Sequence, residues 1–238
     1  MEAPELFVLA GGFGTRLKSI LLDVPKPLAP VGKYPFLYFF IQNWERQGIS
    51  KFTFLLHYNS EMIISYINDN KKALFSKKSQ FKFIIEKKPL GTGGAVYNAI
   101  IESGIKKNFL LSNCDTWVGD CFECFKKTTA PAIGLMRAKN NNRYGSVNII
   151  NNCITDFKEK KYVEEESYIN SGVYYLSPLD FINYNDKMIS LEKDFLPGLC
   201  KEKKVKAVYL QTDFIDIGIP EDYLRFVYWI DNDRKGEL

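Results

Sequence analysis

Leu6-Phe7-Val8-Leu9-Ala10-Gly11-Gly12-Phe13-Gly14-Thr15-Arg16 is the stretch from which the rest of the chain is read. Five apolar residues predict a short buried strand, Leu6 to Ala10, and the glycines behind it predict a turn at its carboxyl end. Glycines there let backbone N–H groups approach a phosphate closely, and Arg16 adds a forked donor suited to a triphosphate. Pro25-Lys26-Pro27 follows, and two prolines stiffen the backbone that carries the Lys26 ammonium. The turn is not a Walker A loop, since no Gly-Lys-Ser/Thr follows. It is not the dinucleotide fingerprint either, because the third glycine, counted from Gly12, would fall at Leu17. On its own, a turn of this kind is equally a tight strand-to-helix connection.

Outward from this strand, short apolar runs alternate with helical periodicity. Phe52 to Leu56, Phe81 to Ile85 and Phe109 to Ser112 are predicted strands. Pro35 to Gln47, Ser60 to Asn68 and Thr92 to Glu102 are predicted helices, the last two with polar first residues that could cap them. The pattern predicts an α/β fold with a Rossmann-like, doubly wound, mixed sheet, in which ligands sit beyond the carboxyl ends of the strands. The segments after Ala10, Ile85 and Ser112 are therefore the places to look for chemistry. Beyond residue 130 the texture becomes β-rich: Ile133 to Arg137, Gly145 to Ile150, Cys153 to Phe157 and Tyr168 to Leu176. A closing strand, Phe214 to Ile217, precedes a helix opened by Pro220 with Glu221 and Asp222 in its first turn. We expect one domain over 1–238, with 1–130 carrying the doubly wound, nucleotide-binding arrangement and 131–238 the β-rich remainder.

Composition limits the partners. The 238 residues are 46% hydrophobic, enough for a large core, and 32 Lys+Arg against 28 Asp+Glu leave a net charge of +4. The basic residues are scattered, so nucleic acid is not implied. No signal peptide and no apolar stretch of membrane-spanning length is read, and the five irregularly spaced cysteines suit a reducing compartment, so a soluble cytoplasmic protein is expected. Cys121 and Cys124 form a CxxC without a second pair and are read as packing. The aromatic run Phe226 to Trp229 is read as a helix packing on its own core, with an interface between copies of the chain as the alternative.

Three further segments carry candidate chemistry. Glu86 to Ala95, EKKPLGTGGA, follows a strand and enters a helix. Leu110-Leu111-Ser112-Asn113-Cys114-Asp115-Thr116 ends an apolar strand in a carboxylate, which needs a cation or a donor to compensate it. Phe214 to Tyr223 reads FIDIGIPEDY and holds a second carboxylate, Asp216.

Taken together, G-G-x-G-T-R, P-K-P, the glycine loop at 91–94, the strand-end Asp115 and D-x-G-x-P-E-D-Y resemble the sugar-1-phosphate nucleotidyltransferases, and the resemblance runs along nearly the whole chain. It implies that Arg16 and Lys26 neutralise the phosphates of an NTP. Leu9, Gly11, Gly12, Gly14, Thr15, Glu86, Gly91, Thr92 and Gly93 would bind the nucleotide, and Asp115 and Asp216 would hold one Mg²⁺. Relatives usually carry Gly-Asp where this chain has Cys114-Asp115. Arg143-Tyr144-Gly145, Phe157-Lys158-Glu159-Lys160 and Asn170-Ser171-Gly172-Val173-Tyr174 resemble the sugar-recognition segments, which assigns Asn113, Tyr144, Gly145, Glu159, Lys160, Asn170 and Gly172 to the sugar phosphate. A phosphate monoester is already ionised near neutral pH, so no general base is needed and His57, the single histidine, is read as structural.

Among subfamilies, LKSILLDVPKPLAPV, PLGTGGA, RYGSV, FKEK and INSGVYYL look most like the D-glycero-α-D-manno-heptose 1-phosphate guanylyltransferases. That implies GTP and a heptose 1-phosphate as substrates and a precursor of surface polysaccharide as product. Uridylyl or guanylyl transfer to another sugar 1-phosphate, N-acetylmuramate, mannose or glucose 1-phosphate, stays open. With the chain ending at Leu238, an appended acyltransferase activity is not expected. A catalytically silent nucleotide-sugar-binding module is disfavoured by the joint presence of Arg16, Lys26, Asp115 and Asp216. A nicotinamide dehydrogenase lacks both its third glycine and an acidic residue after the second strand, which ends at Leu56 and His57.

Overall fold

The computed structural model describes residues 3–17, 20–21, 23–138, 146–158, 167–184, 188–202 and 204–233. In chain order the elements are β1 (Leu6–Leu9), β2 (Pro30–Val31), β3 (Tyr34–Pro35), α1 (Phe36–Arg46), β4 (Lys51–Leu56), α2 (Ser60–Leu74), β5 (Gln80–Ile85), α3 (Gly91–Ser103), β6 (Phe109–Asn113) and β7 (Thr116–Val118). They continue with α4 (Phe122–Lys126), β8 (Ala132–Ala138), β9 (Ser146–Ile150), β10 (Cys153–Lys158), β11 (Ser167–Leu176), α5 (Leu196–Glu202), β12 (Val205–Tyr209), β13 (Phe214–Asp216) and α6 (Pro220–Asp233). Every strand and helix expected from the sequence is present. The main difference in length is α2, which runs past Asn68 through the polar stretch Asp69–Lys72 until Leu74 is buried. Neither expected cap forms. Asn59, in a left-handed conformation and with no side-chain cap bond, precedes α2, and Thr92 lies inside α3 rather than before it.

The chain divides into two compact units. The first is drawn from Met1–Ile85, Asn113–Asp120 and Asp213–Leu238. Its strands β1, β4 and β5 are parallel, with β4 in the centre, Leu6 opposite Phe52 and Phe52 opposite Phe81. Burial of all of β4 except Lys51 is what a parallel strand covered on both faces requires. Helix α1 is aromatic along one side. Phe36 packs 4.9 Å, centroid to centroid, from Phe226 of α6, which in turn meets Trp117 of β7 at 5.6 Å. Burying a ring such as that of Phe226 contributes about 1.5–3 kcal/mol, and it anchors α6 on the core of its own unit, as the packing reading of the Phe226–Trp229 run expects. Two polar bonds fix the register of these helices. Asn43 Nδ2, buried in α1, donates to the Val118 carbonyl at 2.8 Å, and the Tyr223 hydroxyl of α6 donates to the Pro30 carbonyl.

The second unit is drawn from Glu86–Ser112 and Cys121–Thr212. Its strands lie in the order β6-β11-β8-β12-β10-β9. β11 is antiparallel to both β6 and β8, β12 is parallel to β8, and β10 is antiparallel to β12 and β9. The unit is therefore mixed, and the β-rich texture read after residue 130 is its framework. The register of β11 against β8 shifts between Asn170 and Tyr174, so that a bulge takes Ser171, Gly172 and Val173 out of regular pairing with β8. Cys121, buried, and Cys124, half-buried, stand at the start of α4, consistent with packing.

Candidate functional site

In the first unit the strand-to-loop transition is built from close backbone approach. After β1, the Ala10 amide still bonds the Leu55 carbonyl at 3.0 Å, and the Tyr58 amide reaches the Gly11 carbonyl at 3.4 Å. A Cβ at Gly11 would lie 2.8 Å from the His57 amide nitrogen, so glycine is what allows the loop to leave the sheet here. His57 sits beside this turn, edge-on to Phe13 at 5.8 Å, in keeping with a structural role. Gly12 faces open space, and Gly14 lies against the Lys26 side chain. Thr15, Arg16 and Leu17 then form one short turn in which Leu17 is buried while Thr15 and Arg16 are exposed. Leu9 accepts a bond on its carbonyl from the Cys114 amide at 3.0 Å, which fixes Cys114 against the end of β1.

That bond brings the acidic strand end to the loop. Lys26, on a single helical turn opened by Pro25, places Nζ 3.0 Å from Asp115 Oδ2. The lysine side chain is 11% exposed and the aspartate 33%, so both charges are partly desolvated and each offsets the burial cost of the other. Asp115 is tied in turn to the second carboxylate. Its carbonyl accepts the Ile217 amide at 2.9 Å, and β13 pairs antiparallel with β7 so that Asp216 stands opposite Thr116. Asp216 Oδ1 accepts the Gly218 amide at 2.7 Å, which closes the turn into α6. Two carboxylates far apart in sequence are therefore brought together, Asp115 in the turn just before β7 and Asp216 on the strand paired with β7, with Lys26 against Asp115. Cys114, between Asn113 and Asp115, is fully buried, and its thiol is pushed well up, first by desolvation and then by the Asp115 charge. It is an inert neighbour rather than a nucleophile.

The chemistry of this donor set suits a hard divalent cation. Among the described residues no group of three or more His, Cys, Asp and Glu side chains could hold a metal by itself. A pair of carboxylates fits an ion that draws its remaining ligands from substrate phosphates and water.

The second unit carries the other predicted residues. Glu86 Oε2 accepts the Leu90 amide at 2.9 Å and so closes the loop before α3. Gly91 has φ of +74°, a left-handed conformation that disfavours any side chain. Gly93 is buried, and its amide donates to the Ile189 carbonyl at 3.0 Å. The Thr92 hydroxyl accepts the Leu191 amide at 2.7 Å and donates to Glu192 Oε2 at 3.0 Å. Asn170 spans the bulge of β11: its Oδ1 accepts the Gly172 amide at 3.1 Å and its Nδ2 donates to the Tyr174 hydroxyl at 2.7 Å. Tyr144, Gly145, Glu159 and Lys160 lie outside the described residues. No motif in the sequence marks Ile189 to Glu192 as part of the setting of the loop before α3. Ser190 with Glu192 and Asp194 behind it signals a helix start, but nothing local signals its partner on α3.

Residues 6–232 match the family described as Nucleotidyl transferase. The chain belongs to that family. This nucleotidyl transferase is 33% identical over 224 residues to D-glycero-alpha-D-manno-heptose 1-phosphate guanylyltransferase of Campylobacter jejuni, with 94% of this chain and 98% of that one covered. It is likewise 33% identical over 225 residues to the enzyme of the same name from Aneurinibacillus thermoaerophilus, covering 92% and 95% of the two chains. Among solved structures it resembles HddC from Yersinia pseudotuberculosis complexed with GMP-PN, with a TM-score of 0.81, 35% identity, and 94% and 98% of the two chains covered. No helix among the described residues is long and apolar enough to cross a membrane.

Proposed function

We propose that this nucleotidyl transferase moves GMP from GTP to D-glycero-α-D-manno-heptose 1-phosphate. A phosphate oxygen of the sugar attacks the α-phosphorus in line, the bond from the α-phosphorus to the bridging oxygen breaks, and pyrophosphate leaves with that oxygen. The observation that carries the reading is the Lys26–Asp115 pair at 3.0 Å with Asp216 on the strand paired beside it. The choice of GTP and heptose is supported by the two guanylyltransferases that this chain matches over almost their full length.

In this reading Asp115 and Asp216 hold Mg²⁺, which supplies Lewis-acid stabilisation of the phosphate charge when bound. Lys26, held in place by Asp115 and by its flanking prolines, offsets charge developing at the α-phosphate, and Arg16 engages the outer phosphates. Backbone amides of Gly11, Gly12, Gly14 and Thr15 cradle the triphosphate, while Leu9, Glu86, Gly91, Thr92 and Gly93 serve the nucleoside. Asn113, Tyr144, Gly145, Glu159, Lys160, Asn170 and Gly172 take the sugar phosphate. Residues 1–130 would thus act mainly on the nucleotide and 131–238 mainly on the sugar and the closing metal ligand. The five irregularly spaced cysteines suit a reducing cytoplasm, where the product would feed surface polysaccharide synthesis.

The test is a matrix of NTPs against sugar 1-phosphates, including mannose, glucose and N-acetylmuramate 1-phosphates, read by pyrophosphate release with Mg²⁺. GTP with the manno-heptose phosphate is expected to give the highest kcat/KM. A different best pair overturns the specificity, and no turnover with any pair overturns the reaction.

A further inference from the structure

The start of α3 is held by a segment almost a hundred residues further along the chain. Four hydrogen bonds join the two within the second unit. The Ile189 amide donates to the Leu90 carbonyl at 3.1 Å, and the Ile189 carbonyl accepts the Gly93 amide at 3.0 Å. The Leu191 amide donates to the Thr92 hydroxyl at 2.7 Å, and that hydroxyl donates onward to Glu192 Oε2 at 3.0 Å. Glu192 Oε2 also accepts the Ser190 hydroxyl at 3.2 Å, and Ser190 Oγ accepts the Lys193 amide at 3.1 Å. The glutamate is thus the shared acceptor of two hydroxyls, each of which accepts an amide from the turn at Leu191–Phe195. Such a ring fixes both hydroxyl rotors, because each has its proton directed at the carboxylate and a lone pair at an amide.

Shape agrees with the bonds. A Cβ on Gly91 would stand 2.4 Å from the Ile189 carbonyl oxygen, and one on Gly93 would stand 2.8 Å from Ile189 Cγ1. Both glycines are therefore demanded by the 189–192 segment, whatever a ligand also demands of them. The Gly93 amide, one of the donors that a helix start leaves without an intrahelical partner, is already taken by Ile189.

We infer that Ile189–Glu192 is a strap that sets the nucleotide-recognition loop, with Glu192 as a positioning residue acting through Thr92. The inference rests on the proposed nucleotide role of Gly91–Gly93. Through that role, the strap governs nucleotide affinity and the choice of base rather than the chemical step.

Two readouts separate the strap from the function it serves. The first is hydrogen exchange of the peptide covering 90–95. Glu192→Ala removes the shared acceptor and should accelerate exchange there by about tenfold, the scale of one hydrogen bond to a charged group. Glu192→Gln keeps a carbonyl oxygen as acceptor and should restore most of the protection. Unchanged protection in Glu192→Ala overturns the strap even if the protein turns over no nucleotide at all, an outcome that would instead defeat the proposed function. The second readout is kinetic. Glu192→Ala should raise KM for the best NTP by about tenfold and narrow the preference between bases, with kcat and the KM for the sugar 1-phosphate held. A fall in kcat with the nucleotide KM unmoved overturns the assignment. Should Glu192→Ala fail to fold, Gly93→Ala paired with Ile189→Ala decides the matter. The first alone should lose protection at 90–95, and the second should give part of it back by clearing Cγ1 from the new methyl. No recovery in the pair overturns the packing half of the inference.

Discussion

Lys26 and Asp115 meet through opposite charge, whereas Gly91 and Ile189 meet because one of them has no side chain. The first unit gathers its candidate groups with an ion pair and a three-residue strand pairing, β7 with β13. The second arranges its loop with backbone bonds and close approach, and the carboxylate of Glu192 there serves hydroxyls rather than a cation. The two regions should therefore fail differently. Loss of charge in the first should stop the chemistry with the fold largely kept, while added bulk in the second should loosen the structure and nucleotide binding together.

The sharpest way to break this contrast is Asp115→Asn. It removes a proposed metal ligand and the counter-charge of Lys26 while keeping size and hydrogen-bonding capacity. Turnover is expected to fall by about 10²–10³-fold or more, with far-UV circular dichroism unchanged. Excess Mg²⁺ should recover little of it. An Asp115→Asn enzyme that keeps most of its Mg²⁺-dependent pyrophosphate release would remove Asp115 from the chemistry.

Substitution of glycines tests the other side. Gly91→Ala places a methyl where φ is +74° and where the Ile189 carbonyl oxygen stands 2.4 Å from the new carbon. It should cost about 1–3 kcal/mol in stability from the backbone conformation alone, seen as a lower Tm, together with a raised KM for the nucleotide. Gly12→Ala is the contrasting variant, because nothing stands within 4 Å of its Cβ position. Its Tm should hold while its nucleotide KM rises, since only a bound phosphate would meet the methyl. Equal losses of Tm in the two variants would erase the distinction between a loop shaped by its ligand and one shaped by its own chain.

The same contrast explains what the sequence discloses. Arg16, Lys26, Asp115 and Asp216 lie in short contiguous motifs whose residue types state their chemistry, and the apolar runs beside them state the strands. The adjacency of Asp115 and Asp216 is less legible, because it depends on a pairing only three residues long. Thr92 shows where local reading fails. A threonine at a helix entry reads as a cap, yet here it bonds Leu191 and Glu192, and only tertiary structure brings those residues to it. Helix α2 fails for a related reason. Its apolar period lapses after Ile67, and the burial of Leu74, which extends the helix, is decided by packing rather than by the intervening polar residues.

The smallest expected effect compares two buried thiols, Cys114 in the first unit and Cys200 in the second. Burial pushes the Cys200 thiol up to about 11, with the Asp156 carboxylate adding to it, whereas an exposed cysteine titrates near 9.0. The folded state therefore favours the protonated thiol. The stability this contributes is complete below pH 9 and is lost as pH rises toward 11, because the unfolded chain releases its proton first. Cys200→Ala should flatten that alkaline decline, measured as urea midpoints on either side of pH 9. It should not abolish it, because Cys114, also raised by burial, contributes in the same direction. At neutral pH the turnover of Cys200→Ala should match wild type, since the thiol lies on α5, away from the Lys26–Asp115 pair in sequence and in unit. A decline as steep in Cys200→Ala as in wild type would assign the alkaline sensitivity to the other groups raised by burial, among them the Cys114 thiol beside Asp115 in the first unit and the Tyr209 phenol in the second.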